Sequence, residues 1–184
     1  MERSIRIAGV VVLALAFLPV AGAEPRTWSF DADPVDQPPA GLTLGAGEWV
    51  VVADDAAPSP KQVLEQRAKS ANATYNTALA DGATWADIAL SVRLKAVAGE
   101  TDQGGGVMWR VVDSKNYYVA RWNPLENNLR AYKVVDGKRT QLASADTDLE
   151  AGWHTLAVTM RGDEIVVSLD GAESLRLKDA TFAA

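Results

Sequence analysis

The chain has 184 residues, of which 18 are Lys or Arg, 24 are Asp or Glu, one is His and none is Cys. The lack of cysteine excludes disulfides, thiolate metal sites and a cysteine nucleophile, and a single histidine excludes a zinc site built on a histidine pair. The formal net charge of -6 argues against a nucleic-acid partner, which normally requires a basic surface.

The N-terminal segment has the pattern of a secretory leader. Two arginines accompany the start of an almost wholly apolar run over residues 7–20, and a small-residue cleavage site ends at Ala23. We therefore predict a signal peptide over 1–23 and one mature domain over 24–184, secreted or periplasmic. The apolar run is too short to span a bilayer comfortably, so we expect no stable membrane insertion after cleavage.

The first half of the mature chain predicts short strands separated by loops rich in proline and glycine. The candidate strands are 26–31, 48–53, 63–69 and 74–79. The sequence of 63–69 also suits a helical turn. The clearest pattern covers residues 87–97, where Ile88, Leu90, Val92 and Leu94 share one face and polar or small residues share the other. This period of two indicates a strand with one buried face.

The second half predicts a series of strands joined by tight turns. The candidate strands are 107–112, 117–122, 128–135, 138–143, 153–161, 164–169 and 173–177. The dipeptides Asp136-Gly137 and Asp170-Gly171 are hairpin signals. Short strands and turns without a convincing helix predict an antiparallel β-sandwich, whose function must lie on an outer sheet face, a strand end or a loop.

Three segments carry a resemblance to known proteins. They are QGGGVMWR at 103–110, NYYVARWNPLENNLRAYKVVDGKR at 116–139 and WHTLAVTMRGDEIVVSLDG at 153–171. Together they resemble the concanavalin A-like lectin/glucanase superfamily in its laminin-G-like branch. Within it, the chain is similar to secreted bacterial domains described as family-sixteen-glycoside-hydrolase-like or 3-keto-disaccharide-hydrolase-like. The resemblance implies an antiparallel jelly-roll sandwich. Because such domains usually end in one more strand, we expect the last C-terminal strand to be lacking and an edge to be uncovered beside residues 28–31.

Aromatic and polar residues concentrate between residues 109 and 132. The candidate ligand-binding residues are Trp109, Arg110, Tyr118, Arg121, Asn123 and Tyr132. Aromatic rings offer flat apolar faces to sugars, and Arg and Asn side chains hydrogen-bond to hydroxyls. Alternation separates Tyr117 and Arg121 from Tyr118 and Trp122, but it leaves open which face is outward. Arginine is seldom fully buried, which favours an outer position for the arginines; the alternative is that the aromatic residues are core packing.

These observations favour an exported, non-catalytic module that binds carbohydrate or another small ligand. One alternative is a glycoside hydrolase-like enzyme acting on disaccharides or glycans, which would need two carboxylates about 5–10 Å apart. The candidates are Asp87, Asp102, Asp113 and Glu126, and the sequence brings no pair of them together. We therefore assign no catalytic residue. The other alternative is a cell-envelope interaction domain that binds by strand addition.

We expect no cofactor and assign no metal ligand. The alternative is calcium, which prefers oxygen ligands, bound by Asp31 and Asp33 or by Asp54 and Asp55. The lone His154 is interpreted as a packed residue of a strand rather than a base. The glycines at 104–106 precede a strand and not a helix, so they indicate a bulge or a sharp loop entry rather than a phosphate loop.

Overall fold

The computed structural model describes residues 4–11, 26–58, 61–69, 75–82, 84–99 and 103–183. Within them the chain forms strands and no helix. The strands are Ser4–Val11 (β1), Thr27–Trp28 (β2), Leu42–Leu44 (β3), Trp49–Ala53 (β4), Gln62–Gln66 (β5), Ala78–Ala80 (β6), Ile88–Ala98 (β7), Gly105–Asp113 (β8), Asn116–Asn123 (β9), Asn128–Val135 (β10), Lys138–Asp146 (β11), Trp153–Arg161 (β12), Glu164–Leu169 (β13) and Ala172–Lys178 (β14).

The described strands form two large sheets and one small one. The larger sheet has the order β14-β13-β12-β7-β1-β5-β4, with β2 pairing with β1, and the second has the order β11-β10-β9-β8. Strands β3 and β6 form a two-stranded sheet. The strand pairs are antiparallel, so the predicted all-β antiparallel architecture is confirmed. No helix in the described ranges has the length and hydropathy of a membrane span.

The main core lies between the two large sheets. The alternating residues of β7 include Val92 and Leu94, and they pack in one buried cluster with residues of β12 and β13. The opposite sheet contributes Tyr118, Ala120 and Trp122 of β9 to the same cluster. The residues that the period-two pattern predicts to share a buried face therefore do face the interior. Burial of these apolar side chains supplies the main driving force for folding.

Turns and glycines fix the register of the second sheet. Asp136 and Gly137 both have positive φ, 51° and 78°, in the turn between β10 and β11, as a two-residue hairpin turn requires. A Cβ atom at Gly106 would overlap the carbonyl oxygen of Ala120 on β9. Only glycine lets β8 approach β9 so closely, which is the physical role of the glycine run before this strand.

The N-terminal strand differs from the sequence expectation. β1 lies within the segment predicted to be a signal peptide, yet it pairs with β7, β5 and β2 in the larger sheet. Thr27 and Trp28 pair with Val11 and Val10, so one side of β2 is paired in the full chain, and the uncovered edge beside residues 28–31 stays a prediction. Removal of the leader, and the lack of a last C-terminal strand, stay predictions.

The segment after β14 is fixed to one end of the sandwich. The Tyr118 hydroxyl donates to Asp179 Oδ1 at 2.6 Å, and Lys133 Nζ lies 2.7 Å from Asp179 Oδ2. The ring of Phe182 packs edge-on against Tyr118, with centroids 5.0 Å apart. Burial opposes the charged form of Asp179, but hydrogen bonds from Lys133, Thr181 and Tyr118 outweigh it and hold the pKa of Asp179 well below its usual value.

Candidate functional site

Strand β9 divides the predicted site residues between two faces. Its inward residues include Tyr118, which is completely buried, and Trp109 of β8 stacks on this ring with centroids 5.5 Å apart. The Trp109 indole nitrogen points to Met160 Sδ at 3.1 Å, inside the core. Trp109 and Tyr118 are therefore packing residues, and neither offers a surface to a ligand.

Arg110 takes an unexpected position because a bulge interrupts β8 after Trp109. Its backbone has a φ of 45°, and its side chain leaves the alternation. The guanidinium donates to three backbone carbonyl oxygens, those of Ala86 and Gly162 at 2.8 Å and that of Phe182 at 2.7 Å. Arg110 thus holds together three chain segments at one end of the sandwich. Its buried charge is satisfied by carbonyl dipoles.

A pocket of about 290 Å³ opens beside Arg110. Asp87 lies at its rim, 3.8 Å from the guanidinium, and accepts a hydrogen bond from the Gly162 amide at 2.8 Å. Arg121 does not belong to this pocket. In the strand register it is opposite Gly106, four positions before Arg110 along β8. The structure therefore does not bring the two predicted arginines together.

The outer face of β9 and β10 carries a charged cluster around Glu126. Arg121 and Arg130 are directly opposite each other in the register. Repulsion between like charges normally makes such a cross-strand pair destabilising. Glu126 Oε2 lies between them, 2.8 Å from Arg121 Nη2 and 3.1 Å from Arg130 Nη1. It also accepts a hydrogen bond from Asn128 Nδ2 at 3.1 Å. The hydrogen bond from Arg121 is the main reason that the pKa of Glu126 is lowered.

Two buried polar atoms lie beside this carboxylate. Asn128 Oδ1 and Arg130 Nε have no hydrogen-bond partner among the described residues. One is an acceptor and the other is a donor, and buried polar atoms almost always have a partner. The Arg130 side chain is 32% exposed and that of Glu126 is 41% exposed, so the cluster reaches solvent. We call Arg121, Glu126, Asn128 and Arg130 the Glu126 cluster.

A tyrosine and arginine group lies on the same sheet face. The Arg139 guanidinium is 4.9 Å from the ring centroid of Tyr132 and 5.8 Å from that of Tyr75. Arg139 Nη1 also donates to the Tyr75 hydroxyl at 3.1 Å. Burial raises the pKa of Tyr75 and of Tyr117, which packs in the same apolar cluster as Tyr132. The half-buried ring of Tyr75 and the exposed Arg139 are thus the part of this group that faces outward.

The predicted site residue Asn123 supports the turn that holds Glu126. It is completely buried at the end of β9, and its Oδ1 accepts a hydrogen bond from the Leu125 amide at 3.0 Å. Of the six residues predicted, the structure therefore brings Arg121 and Tyr132 onto one outer face and places Asn123 at its margin. Tyr75 and Arg139 are 64 positions apart in the sequence, so local pattern gives no signal that they meet.

The carboxylates considered for hydrolysis occupy separate places. Asp113 is the last residue of β8, just before β9, and Glu126 lies in the turn after β9, so the two are at opposite ends of an eight-residue strand. That length is about 25 Å, well beyond the spacing of a glycosidase pair. Asp87 lies at the pocket rim, and Asp102 is outside the described residues. Backbone and side-chain hydrogen bonds lower the pKa of Asp113, the largest from the Lys115 amide.

His154 is held by its surroundings. Its Nδ1 is 2.7 Å from Asp170 Oδ2, and its Nε2 is 2.8 Å from the carbonyl oxygen of Glu150. The ring also packs edge-on against Trp122, with centroids 4.8 Å apart. Both ring nitrogens thus have partners within the fold, as expected for a packed histidine.

The carboxylates considered for calcium have protein partners. Asp54 contacts Lys95 at 3.4 Å, Asp55 contacts Lys61 at 3.1 Å, and Asp33 accepts a hydrogen bond from the Ala40 amide. In the part of the chain that the structure describes, no three His, Cys, Asp or Glu side chains come together as a metal site. Calcium binding stays an alternative that a chelator would test.

Comparison with solved structures identifies a similar fold. The carbohydrate binding module CBM66 from Bacillus subtilis superposes with a TM-score of 0.64 over 78% of this chain and 82% of its own, at 19% sequence identity. At that identity the likeness shows the shared β-sandwich architecture alone. No family model matches the chain, and no curated protein matches it.

Proposed function

We propose that this protein is an exported, non-catalytic carbohydrate-binding module of the laminin-G-like, concanavalin A-like type. The leader pattern supports export, and the sequence resemblance supports the superfamily. The fold likeness to a solved carbohydrate binding module supports the ligand class. We further propose that the ligand binds on the outer face of the four-stranded sheet, at the Glu126 cluster and Tyr75.

The Glu126 cluster is the observation that carries this proposal. One carboxylate holds two facing arginines in fixed positions, so the charged donors and acceptors are oriented before a ligand arrives. Adjacent sugar hydroxyls both donate and accept, which matches the exposed Glu126 carboxylate as acceptor and the partly exposed Arg130 guanidinium as donor. Hydrogen bonds to charged groups are stronger than those between neutral groups, which suits recognition of a heavily hydrated ligand.

Tyr75 supplies the apolar half of the proposed site. A sugar ring has a face of C–H groups that packs on an aromatic ring. Tyr75 is held in place by Arg139, which donates to its hydroxyl and lies against its ring. An aromatic platform beside a rigid polar cluster is the usual composition of a small-ligand site.

The non-catalytic part of the proposal rests on the carboxylates. Glycoside hydrolysis needs a general acid with a raised pKa close to a second carboxylate. The pKa values of Asp113 and Glu126 are instead lowered, and the two lie at opposite ends of β9. Incubation with the oligosaccharides that bind should release no shorter products; cleavage abolished by Glu126→Gln would contradict this part.

Calorimetric titration of the full chain with a panel of neutral, acidic and amino oligosaccharides tests the binding. We expect at least one member to bind, and Arg130→Ala to weaken it about tenfold or more, because a hydrogen bond to a charged group contributes about 1.5–3 kcal/mol. The matched control is Arg176→Ala, which removes an exposed arginine paired with Glu164 and Glu173 on the other sheet. Absence of binding throughout the panel, or equal effects of both substitutions, would refute the proposal.

A further inference from the structure

Strand addition, the third function that the sequence leaves open, has a specific place in this fold. β1 occupies an interior position of the larger sheet, between β7 on one side and β5 and β2 on the other. The same residues lie in the segment whose sequence predicts removal as a leader. The strand whose removal with the leader is predicted is therefore paired with neighbouring strands on both of its sides.

The register shows what this strand joins. Ile7 is opposite Leu94 of β7 and also opposite Leu64 of β5. Leu94 belongs to the main core and Leu64 to a second buried cluster with Phe30, Trp49 and Val51. The position of β1 thus connects two apolar clusters, and an occupant there covers the boundary between them.

Loss of β1 would open two facing strand edges. The other side of β7 is paired with β12, and the other side of β5 is paired with β4. Their inner edges would be about 10 Å apart, twice the spacing of neighbouring strands. Each would present unpaired backbone N–H and C=O groups, which are costly when buried and readily pair with another strand.

We propose that the gap between β5 and β7 is a strand-acceptor site, which takes an extended segment of a partner polypeptide once the leader has been removed. The occupant is defined by the strand now seated there. It runs antiparallel to both neighbours, because β1 is antiparallel to β5 and to β7. It has about eight residues, as β1 has, and it is rich in small and β-branched apolar residues like Ser4–Val11.

Strand exchange on the intact chain tests this site. The full chain is produced without export, with a protease recognition sequence introduced within residues 12–25, and is then cut so that β1 remains bound without a covalent link. A fluorescent peptide with the sequence of Ser4–Val11 is added, and its incorporation is measured by gel filtration. We expect the labelled peptide to replace β1 and the amides of β5 and β7 to keep their protection from hydrogen exchange.

The control is the same peptide carrying Ile7→Pro. Ile7 is paired on both sides, so proline there removes a backbone donor from the ladder whichever neighbour it faces. We expect the incorporation of this variant peptide to fall at least about tenfold relative to the unchanged peptide. Equal incorporation of both peptides, or of neither, would overturn the proposal.

Export of the full chain provides the second readout. We expect the exported protein to begin near residue 24 and to take up the labelled peptide directly. Two results would overturn the proposal: an exported chain that retains Ser4–Val11, and an exported chain whose copies pair with one another and exclude the peptide. The second result would identify another copy of the chain as the occupant.

Discussion

The two faces of β9 contain similar residue types but make different contacts. The inner face places Tyr118 and Trp122 in the main core, where ring packing dominates. The outer face has two parts: Tyr117 and Tyr132 pack in a second buried apolar cluster, and Arg121 forms an ion pair with Glu126. Aromatic content therefore does not distinguish a packing face from a binding face; the polar groups between the rings do.

The largest expected difference between these faces is in stability. Trp122→Ala would remove one of the largest fully buried side chains of the core. We expect it to lower the free energy of unfolding by about 3–5 kcal/mol, the usual cost of such a cavity. Urea denaturation measures this value. The outer-face substitution Arg130→Ala serves as the comparison and should cost less than about 1 kcal/mol, since its ion pair is partly exposed; equal losses would contradict the division between the faces.

A second prediction concerns Asp179, which receives hydrogen bonds from both Tyr118 and Lys133. Asp179→Asn should cost about 1–3 kcal/mol at pH 7, because charged hydrogen bonds at one end of the core are weakened. The pKa of Asp179 is lowered in the folded protein, so this contribution is complete above the unfolded value of about 4 and is lost as the pH falls below it.

Thermal denaturation between pH 7 and pH 2 tests the direction of this pH dependence. The difference in melting temperature between the wild type and Asp179→Asn should narrow as the pH falls from about 4 to 2. Asp148→Asn, which changes an exposed carboxylate in the loop after β11, should follow the wild type throughout. A gap between wild type and Asp179→Asn that widens in acid would show that the side chain does not act as a charged acceptor.

The smallest effect on stability is expected for Glu126→Gln. The Glu126 side chain is 41% exposed, so its ion pairs with two arginines contribute less than about 1 kcal/mol after screening by solvent. Its affinity for the oligosaccharide found in the panel should nevertheless fall about tenfold, because Arg121 and Arg130 lose the charge that orients them. Because the pKa of Glu126 is lowered, the wild-type affinity should stay constant from pH 7 down to about pH 5.

Glu164→Gln is the matched control for this prediction. Glu164 is a similarly exposed carboxylate that pairs with Arg176 on the larger sheet. We expect it to leave the affinity unchanged. A similar loss of affinity in both variants would mean that net charge, and not the geometry of the Glu126 cluster, governs binding.

Much of the fold could be predicted because its signals are local. The alternation from Ile88 to Leu94 marks β7, and the Asp136-Gly137 dipeptide marks the hairpin of β10 and β11. The three-residue strand β3 was not predicted, because so short a run shows no period. The place of β1 was not predicted either, because pairing with β5 and β7 depends on residues far away in the sequence.

The candidate site could be predicted only in part. Arg121 and Tyr132 follow the alternation of their strands, and they share the outer face. Arg110 departs from the strand alternation because it lies at a bulge and has a positive φ. No local sequence pattern predicts this bulge. Tyr75 reaches Arg139 from a distant segment, so the aromatic half of the proposed site depends on the tertiary fold.

A residue-resolved titration tests the central claim most directly. Amide and arginine side-chain NMR signals of the full chain are followed while the oligosaccharide selected from the panel is added. We predict that the changes concentrate at Tyr75, Glu126, Arg130 and Arg139 on the outer face of the four-stranded sheet. Changes confined to the pocket beside Asp87 and Arg110, or no saturable change at all, would contradict the proposed binding face.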